Sequence, residues 1–401
     1  MKRLVFYILD KCTKNLTKWR RLFNRSQYWT YDQLRTFQLN RLHLLYSINT
    51  WEEFYKIKLA TKDDLRKFKP YLKGLNKKEL TYHFSSGSTG KPLKTYGPYI
   101  LQPIKDAIFE RAWKSVGWDG KDWILRLTAG EPQWRFYDYW RNVKPMNYRT
   151  IDRSYFDWII KHKPFLIHGG SGAIREITTG IINMGREDVL KDIKVYLMSE
   201  DTTEHTKELL KYYKNVYSGY GLAELCTVAS QCRLLNYHIN METCIVEIIN
   251  GEIVVTDLWN NITPILRYRT GDFLLYYNFY GEIKKCHPNM NYNCSCGKAH
   301  DVLYNIIGRR VDYYAGSLTK RPLSWWILSP ITNRYGKFID KWKVKVDLKK
   351  NKYILYVIWK NKPLKMIWFR DWIKKETGLD LEIKTYKSMP NKKRMTLLEI
   401  K

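Results

Sequence analysis

With 401 residues, 44% of them hydrophobic, the chain can bury a sizeable core and divide into two or three domains. Lysine and arginine number 70 against 39 acidic residues, and the net charge of +31 calls for an anionic partner: a nucleotide, a nucleic acid, a polyanionic glycan or an acidic membrane face. Seven cysteines, odd in number and partly clustered, set aside a disulfide framework in favour of a cytosolic metal site, and no apolar run approaches the length that spans a bilayer.

Met1 to Leu9 is apolar but short, and Asp10 interrupts it without a cleavage pattern, so no signal peptide is expected. Residues 1–80 read as mostly helical. Met1 to Arg21 scatters apolar and basic positions; it reads first as a helix packed on its own domain, with an anionic membrane surface as the second reading. Tyr31 to Tyr46 has helical spacing. Thr61 can cap a short helix that carries Asp64 at its third position and stops near Pro70.

From Thr81 the pattern becomes α/β. Ile100 to Trp113 is a helix, Trp123 to Leu127 a strand, and Thr128 to Pro132 a turn at its end. Tyr155 to Ile160 is helical, Phe165 to Ile167 is a strand before His168-Gly-Gly-Ser-Gly172, and Ile193 to Met198 is a strand before a helix at Thr203 to Tyr213. Asn215 to Tyr217 then runs into Ser218-Gly-Tyr-Gly221. Strand, glycine turn and helix repeat, as in an open sheet that binds ligands at its strand ends.

After Cys232 long helices give way to short strands at Cys244–Ile249, Glu252–Val255 and Phe273–Tyr276. Past Asp312 the character changes again. A strand at Lys352–Trp359, a helix over Leu364–Lys375 with Gly378 as its cap, and a strand at Leu381–Thr385 suggest a small α+β module.

The most chemical stretch is Ser85-Ser86-Gly87-Ser88-Thr89-Gly90-Lys91-Pro92. Glycines let backbone N–H groups close on an anion, hydroxyls add donors, and Lys91 adds charge. The spacing is not that of a Walker loop. By itself the stretch also reads as a surface turn.

Four further segments fall in order behind it: Tyr220-Gly-Leu-Ala-Glu224, Tyr268-Arg-Thr-Gly-Asp272, Gly308-Arg-Arg-Val-Asp312 and Asn391-Lys-Lys-Arg394. Together they resemble the adenylate-forming superfamily, closest to phenylacetate–CoA ligase and its relatives in capsular polysaccharide biosynthesis. The resemblance runs from about residue 80 to the end. It implies an α/β fold with a large multi-part N-terminal adenylation domain, a β-rich subdomain and a small mobile α+β C-terminal domain. The expected divisions are 1–80, the helical N-terminal part; 81–231, the ATP- and acyl-binding core; 232–312, the β-rich subdomain; and 313–401, the lid.

The resemblance also implies a reaction. ATP and a carboxylic acid give an acyl-adenylate and pyrophosphate, and the acyl group then passes to a thiol or amine. Ser85, Ser86, Gly87, Ser88, Thr89, Gly90 and Lys91 match the loop around the β- and γ-phosphates. Tyr220 with Gly221 matches the adenine side, Glu224 the Mg²⁺ ligand, Asp272 the ribose acceptor and Arg309 the arginine near ribose and phosphate. Asp312 falls at the hinge, and Lys392 matches the lysine that contacts the attacking carboxylate. Ala223 stands where many relatives have threonine, Asn391 where glycine often precedes the lysine, and Val311 where close relatives add an aspartate.

Cys232 and His238, with Cys294 and Cys296 around Ser295, offer three thiolates and one imidazole, a set that suits tetrahedral Zn²⁺. Similarly placed elements occur in the phenylacetate–CoA ligase branch. With four protein ligands the site is expected to be structural; Cys286, His287 and His300 compete as ligands, and Cys244 reads as an apolar filler. Residues 128–140 and His168 to Ser171 should lie beside the acyl pocket, with Trp134, Phe136 and Tyr137 along it and Arg126, Arg135 and Arg141 able to receive an acidic group. CoA is the expected acceptor. The alternatives are an amine or hydroxyl on an acidic glycan precursor, and a non-catalytic nucleotide binder. Nucleic acid is disfavoured for want of a motif, and the expected location is cytoplasmic, with peripheral contact at the inner membrane face as a further reading.

Overall fold

The computed structural model describes residues 16–68, 80–84, 93–98, 101–128, 141–198, 206, 208–274, 294–303 and 306–309, and beyond these 339–347, 352–359, 370–371, 374, 381–385 and 398–400. The chain forms two compact units. The larger takes Met1–His83, Thr95–Thr270 and Leu274–Ile306, and the smaller takes Phe84–Lys94, Gly271–Phe273 and Ile307–Lys401.

Within residues 16–68 the N-terminal part is largely helical, as its spacing predicts. Helix α1 (residues 16–26) packs Leu16 and Phe23 against Leu101, Ile104 and Ile108. Helices α2 (Tyr31–Tyr46), α3 (Trp51–Lys56) and α4 (Lys62–Lys67) each start from a threonine: Thr30, Thr50 and Thr61 accept from the third backbone N–H, and Gln33, Glu53 and Asp64 reach back to the cap. These reciprocal bonds satisfy orphan N–H groups and fix where each short helix begins.

Strand β1 (Leu80–Phe84) pairs with β2 (Lys94–Pro98), and α5 (Leu101–Ser115) follows. The main sheet then builds up. Strands β3 (Ile124–Thr128), β4 (Val143–Asn147), β5 (Leu166–Gly169), β6 (Lys194–Met198) and β7 (Asn215–Leu222) are parallel, in the order β4-β3-β5-β6-β7. Helices α6 (Arg153–His162) and α7 (Ser171–Asn183) are the crossovers around β5. Alternate residues serve opposite faces, as strand geometry requires. Leu125, Ile167, Val195 and Leu197 join Ile159, Ile174, Ile177 and Ile181 from α6 and α7. Ile124, Leu166 and Tyr196 join Ala112, Trp113 and Val116 from α5. Both faces are covered, which explains why these strands read as short continuous apolar runs.

One stretch departs from the strand–turn–helix reading. Ser218-Gly-Tyr-Gly221 does not turn into a helix. It continues β7 to Leu222, and the chain folds back antiparallel as β8 (Cys226–Gln231), Gly219 opposite Ser230. The glycine is there for space: a Cβ on Gly219 would stand 2.6 Å from the Met198 Sδ. Strand β9 (Tyr237–Ile239) extends the sheet, and after it a second sheet carries β10 (Cys244–Ile249), β11 (Glu252–Asp257) and β12 (Tyr268–Leu274) side by side. Asn250 and Gly251 alone link β10 to β11, with φ of 53° and 81°. Both signs are those of the hairpin turn that Asn-Gly favours. The Tyr268–Asp272 motif lies within β12. Strand β13 (Val302–Leu303) returns to β9, Val302 opposite His238, and β14 (Ile306–Arg309) follows.

In the smaller unit β15 (Ile339–Asp347) and β16 (Lys352–Trp359) are antiparallel, flanked by β17 (Leu381–Thr385) beside β16 and β18 (Leu398–Ile400) beside β15, both parallel. Leu355 and Val357 are buried. Of the helix expected over Leu364–Lys375, positions 370, 371 and 374 are helical; the remainder and Gly378 lie outside the described residues. Among the described residues, no helix is long and apolar enough to cross a membrane.

Candidate functional site

Strand β7 runs three residues past Gly219, the partner of Met198 at the end of β6, and Glu224 sits just beyond its end, in the turn to β8. Its side chain is 6% exposed, and Lys62 Nζ, at the first residue of α4, stands 3.6 Å from Oε1. Glu224 lines a recess with Thr81, His83, Lys105, Asp257 and Asn260. Lys105 Nζ lies 3.2 Å from His83 Nε2, and burial, with Lys105 adding to it, pushes His83 down to about 4. Burial pushes the Asp257 carboxyl up, opposed by the N–H groups of Trp259 and Asn260, which donate to Oδ1 at 2.6 and 3.0 Å. Asn260 donates to the Tyr96 carbonyl at 2.8 Å and accepts from Ile262 and Thr263. The recess thus carries Lys105 among the carboxylates of Glu224 and Asp257, with Asp257 and Asn260 held by backbone bonds.

Tyr220 lies half-buried on β7 at an irregularity in its ladder with β8, four residues before Glu224. Asp272 is half-buried on β12, beside Gly271, whose φ of 78° opens the strand. Arg309 ends β14, and its side chain is outside the described residues, as are Ser85 to Lys91, Asp312 and Lys392.

At the end of β5, His168 is buried and takes the Trp113 Nε1–H on Nδ1 at 3.1 Å, which leaves the proton on Nε2. Phe109 and Tyr196 close on its ring edge-on. Burial, with Arg126 adding to it, pushes His168 down to about 3, so it is a neutral imidazole at physiological pH. Two arginines expected to receive an acidic group are already engaged. Arg126 Nη1 lies 3.2 Å from the buried Asp106, and Arg141 Nε lies 3.1 Å from the buried Glu110. A buried guanidinium needs such a partner. Arg135, Trp134, Phe136 and Tyr137 lie outside the described residues.

The four sequence-distant metal candidates come together. One ligand atom each from Cys232, His238, Cys294 and Cys296 lie within 4.8 Å of one another. Cys232 Sγ is 3.9 Å from Cys294 Sγ, and Cys296 Sγ is 3.3 Å from His238 Nε2. Each cysteine arm is a tight turn. Leu235 N–H donates to the Cys232 carbonyl at 2.9 Å while Leu234 N–H donates to Cys232 Sγ at 3.4 Å. Gly297 N–H donates to the Cys294 carbonyl at 3.0 Å, with φ of 86° at the glycine. Burial would raise Cys294, but the Cys296 backbone N–H and the Asn236 amide donate to its sulfur and bring it below the ordinary thiol. Burial pushes Cys296 up to about 12. Buried Lys298, pushed down to about 8 by burial, lies near Cys296 and Cys232, where it can balance thiolate charge. Three sulfurs with N–H support, one imidazole and a neighbouring cation fit a closed tetrahedral site for a zinc-like ion.

His300 is not a competing ligand. Its Nε2 lies 3.0 Å from Glu242 Oε1 in a network behind the cluster, where Arg111 donates to both Glu242 oxygens, at 2.7 and 3.1 Å, and to Asn240 at 2.8 Å. Ser26 completes the shell around Glu242. Cys286 and His287 lie outside the described residues, and Cys244 is fully buried, as a filler should be. Lys62, Lys105 and the Arg111–Glu242 pair carry no local sequence signal; in a chain of 70 cations only the fold singles them out.

No family model and no curated protein matches the sequence. Among solved structures, 2-hydroxyisobutyryl-CoA ligase in the postadenylation state with 2-HIB-AMP aligns with a TM-score of 0.57 at 12% identity, covering 97% of this chain and 90% of that one. The same ligase with 2-HIB-AMP and CoA in the thioesterification state aligns with a TM-score of 0.55 at 12% identity, with coverage of 97% and 90%. At this identity the likeness is one of fold, which the chain shares with 2-hydroxyisobutyryl-CoA ligase.

Proposed function

We propose that the chain is an ATP-dependent, AMP-forming carboxylate ligase that passes its acyl group to CoA. The observation that carries this reading is Glu224, buried in a charged recess at the end of β7 and four residues after Tyr220, within a fold otherwise seen with acyl-adenylates and CoA. In the proposed reaction a carboxylate oxygen attacks the α-phosphorus of ATP and pyrophosphate leaves. The CoA sulfur then attacks the acyl carbon and AMP leaves.

Tyr220 and Gly221 would border the adenine, Asp272 would accept from the ribose hydroxyls, and Ser85 to Lys91 with Arg309 would hold phosphates. Residues 313–401 would supply the lid, and Lys392 would contact the attacking carboxylate. Glu224 would hold Mg²⁺, which supplies charge compensation at the phosphates. Cys232, His238, Cys294 and Cys296 would hold structural Zn²⁺, joining the two cysteine turns without taking part in the chemistry. Preorganised donors around developing charge need little rearrangement during reaction.

The test is pyrophosphate exchange into ATP with Mg²⁺ and a panel of carboxylates, followed by mass analysis with CoA. An acyl-CoA product with AMP release is expected. Exchange without any thioester would remove CoA from the reading. Absence of both exchange and ATP binding would remove the ligase.

A further inference from the structure

Helix α1 turns its apolar side inward with Leu16 and Phe23 and leaves a different face in water. Lys18, Arg21 and Arg25 are exposed on that face at helical spacing, and Tyr28 follows in the same row, 62% exposed. Residues 16–30 contain no Asp or Glu. Arg20, on the flank, turns to the buried Glu110 at 2.6 Å, whereas no carboxylate among the described residues pairs with Lys18, Arg21 or Arg25.

This stripe runs into the cysteine turns. The Ala299 N–H donates to the Gln27 carbonyl at 2.9 Å, and the Tyr28 ring lies 3.9 Å from where a Cβ on Gly297 would stand. The partner turn, joined to it through the Cys232–Cys294 approach, projects Leu234 at 44% and Leu235 at 56% exposure beside exposed Arg233. Leu235 has a φ of 63°, a region that a residue with a branched side chain seldom adopts. Its N–H is held by Cys232 and its carbonyl by the Gln231 amide at 3.0 Å. The fold holds an apolar side chain out in water on strained backbone, and such strain clusters at working surfaces.

We propose that this face docks on an anionic lipid surface. Leu234, Leu235 and Tyr28 enter the interfacial layer, and Lys18, Arg21, Arg25 and Arg233 meet the headgroup phosphates. The apolar groups stand on protruding turns and a helix end, not along a groove. A fluid bilayer closes around separate tips, whereas a protein partner must present a hole for each. Residues 16–30 carry exposed cations and no acidic residue, and each cation adds to attraction toward anionic lipid. The inference is independent of the ligase reading and uses the metal cluster only as the support of the two turns.

Cosedimentation of the full chain with vesicles tests it. Binding is expected to phosphatidylcholine vesicles containing phosphatidylglycerol and not to phosphatidylcholine alone. Arg21→Glu/Arg25→Glu, on the helix and away from the cysteines, and Leu234→Ser/Leu235→Ser should each weaken it at least about tenfold. Metal content and circular dichroism on the same samples distinguish a lost tip from a collapsed turn, and the helix variant tests the surface without touching the cluster. Equal partition onto neutral and anionic vesicles overturns the proposal. So does wild-type partition of the helix variant, which would assign binding to general charge. Capture of an acidic protein with no vesicle binding overturns it as well.

Discussion

Arg111 and Glu242, 131 residues apart, face each other with both carboxylate oxygens engaged, in a site where the glutamate side chain is wholly buried. Burial alone would raise Glu242, yet Arg111 and His300 hold it well below the usual carboxylate range. Arg111→Met should therefore destabilise the larger unit by about 3–5 kcal/mol, because it strands a buried charge. Arg111→Met/Glu242→Leu should lose less than the single variant. Urea midpoints of both measure this; a single variant within about 1 kcal/mol of wild type contradicts it.

Protein purified without chelator should carry close to one tightly held metal per chain, and Cys296→Ser should lose it. Removing the metal should lower the melting temperature by roughly 10 °C through loss of a few kcal/mol of binding linked to folding. Metal analysis beside thermal melts checks both, and an unchanged melt after complete removal contradicts the structural role.

Lys62 competes for Glu224 with any divalent cation, since its Nζ is 3.6 Å from the carboxylate and both side chains are largely buried. Lys62→Ala should lower the Mg²⁺ concentration for half-maximal ATP binding by at least about tenfold, since a unit-charge contact at this distance is worth several kcal/mol at an effective dielectric of ~20. A higher Mg²⁺ requirement would place Lys62 on the nucleotide instead.

Acid should weaken the main sheet through His168. Its folded pKa of about 3 lies below the ordinary 6.5, so between these values the unfolded chain binds a proton that the folded chain does not. Its contribution is full above about pH 6.5 and is lost as pH falls toward 3, by ~2 kcal/mol at pH 5. His168→Gln can still accept the Trp113 bond but does not titrate. Denaturant titrations at pH 8 and pH 5 should show that variant losing less on acidification than wild type.

The parts legible in the sequence were those written locally. Threonine caps fixed α4, apolar runs marked β5 and β6, and a donor set of unusual softness marked Cys232, His238, Cys294 and Cys296. Their meeting was not local: it depends on β13 returning to β9 so that Val302 lies opposite His238. Gly219 misled because a glycine that makes room for Met198 reads like one that makes a turn. Arg126 and Arg141 look like free cations in the sequence, since Asp106 and Glu110 lie on α5, on the other side of a strand boundary.

An ion held by the cysteine cluster would also act on the chain before it folds. Cys232 and Cys294 are 62 positions apart, and all of β10, β11 and β12 lies between them. An ion gripping both ends makes that span a closed ring, a restraint comparable to a cross-link of the same length, worth about 4 kcal/mol by the loop-entropy relation. Such a ring tolerates a reducing interior where a disulfide would open. It would also give the second sheet a shortened search, so metal supply would govern how quickly these strands find their partners.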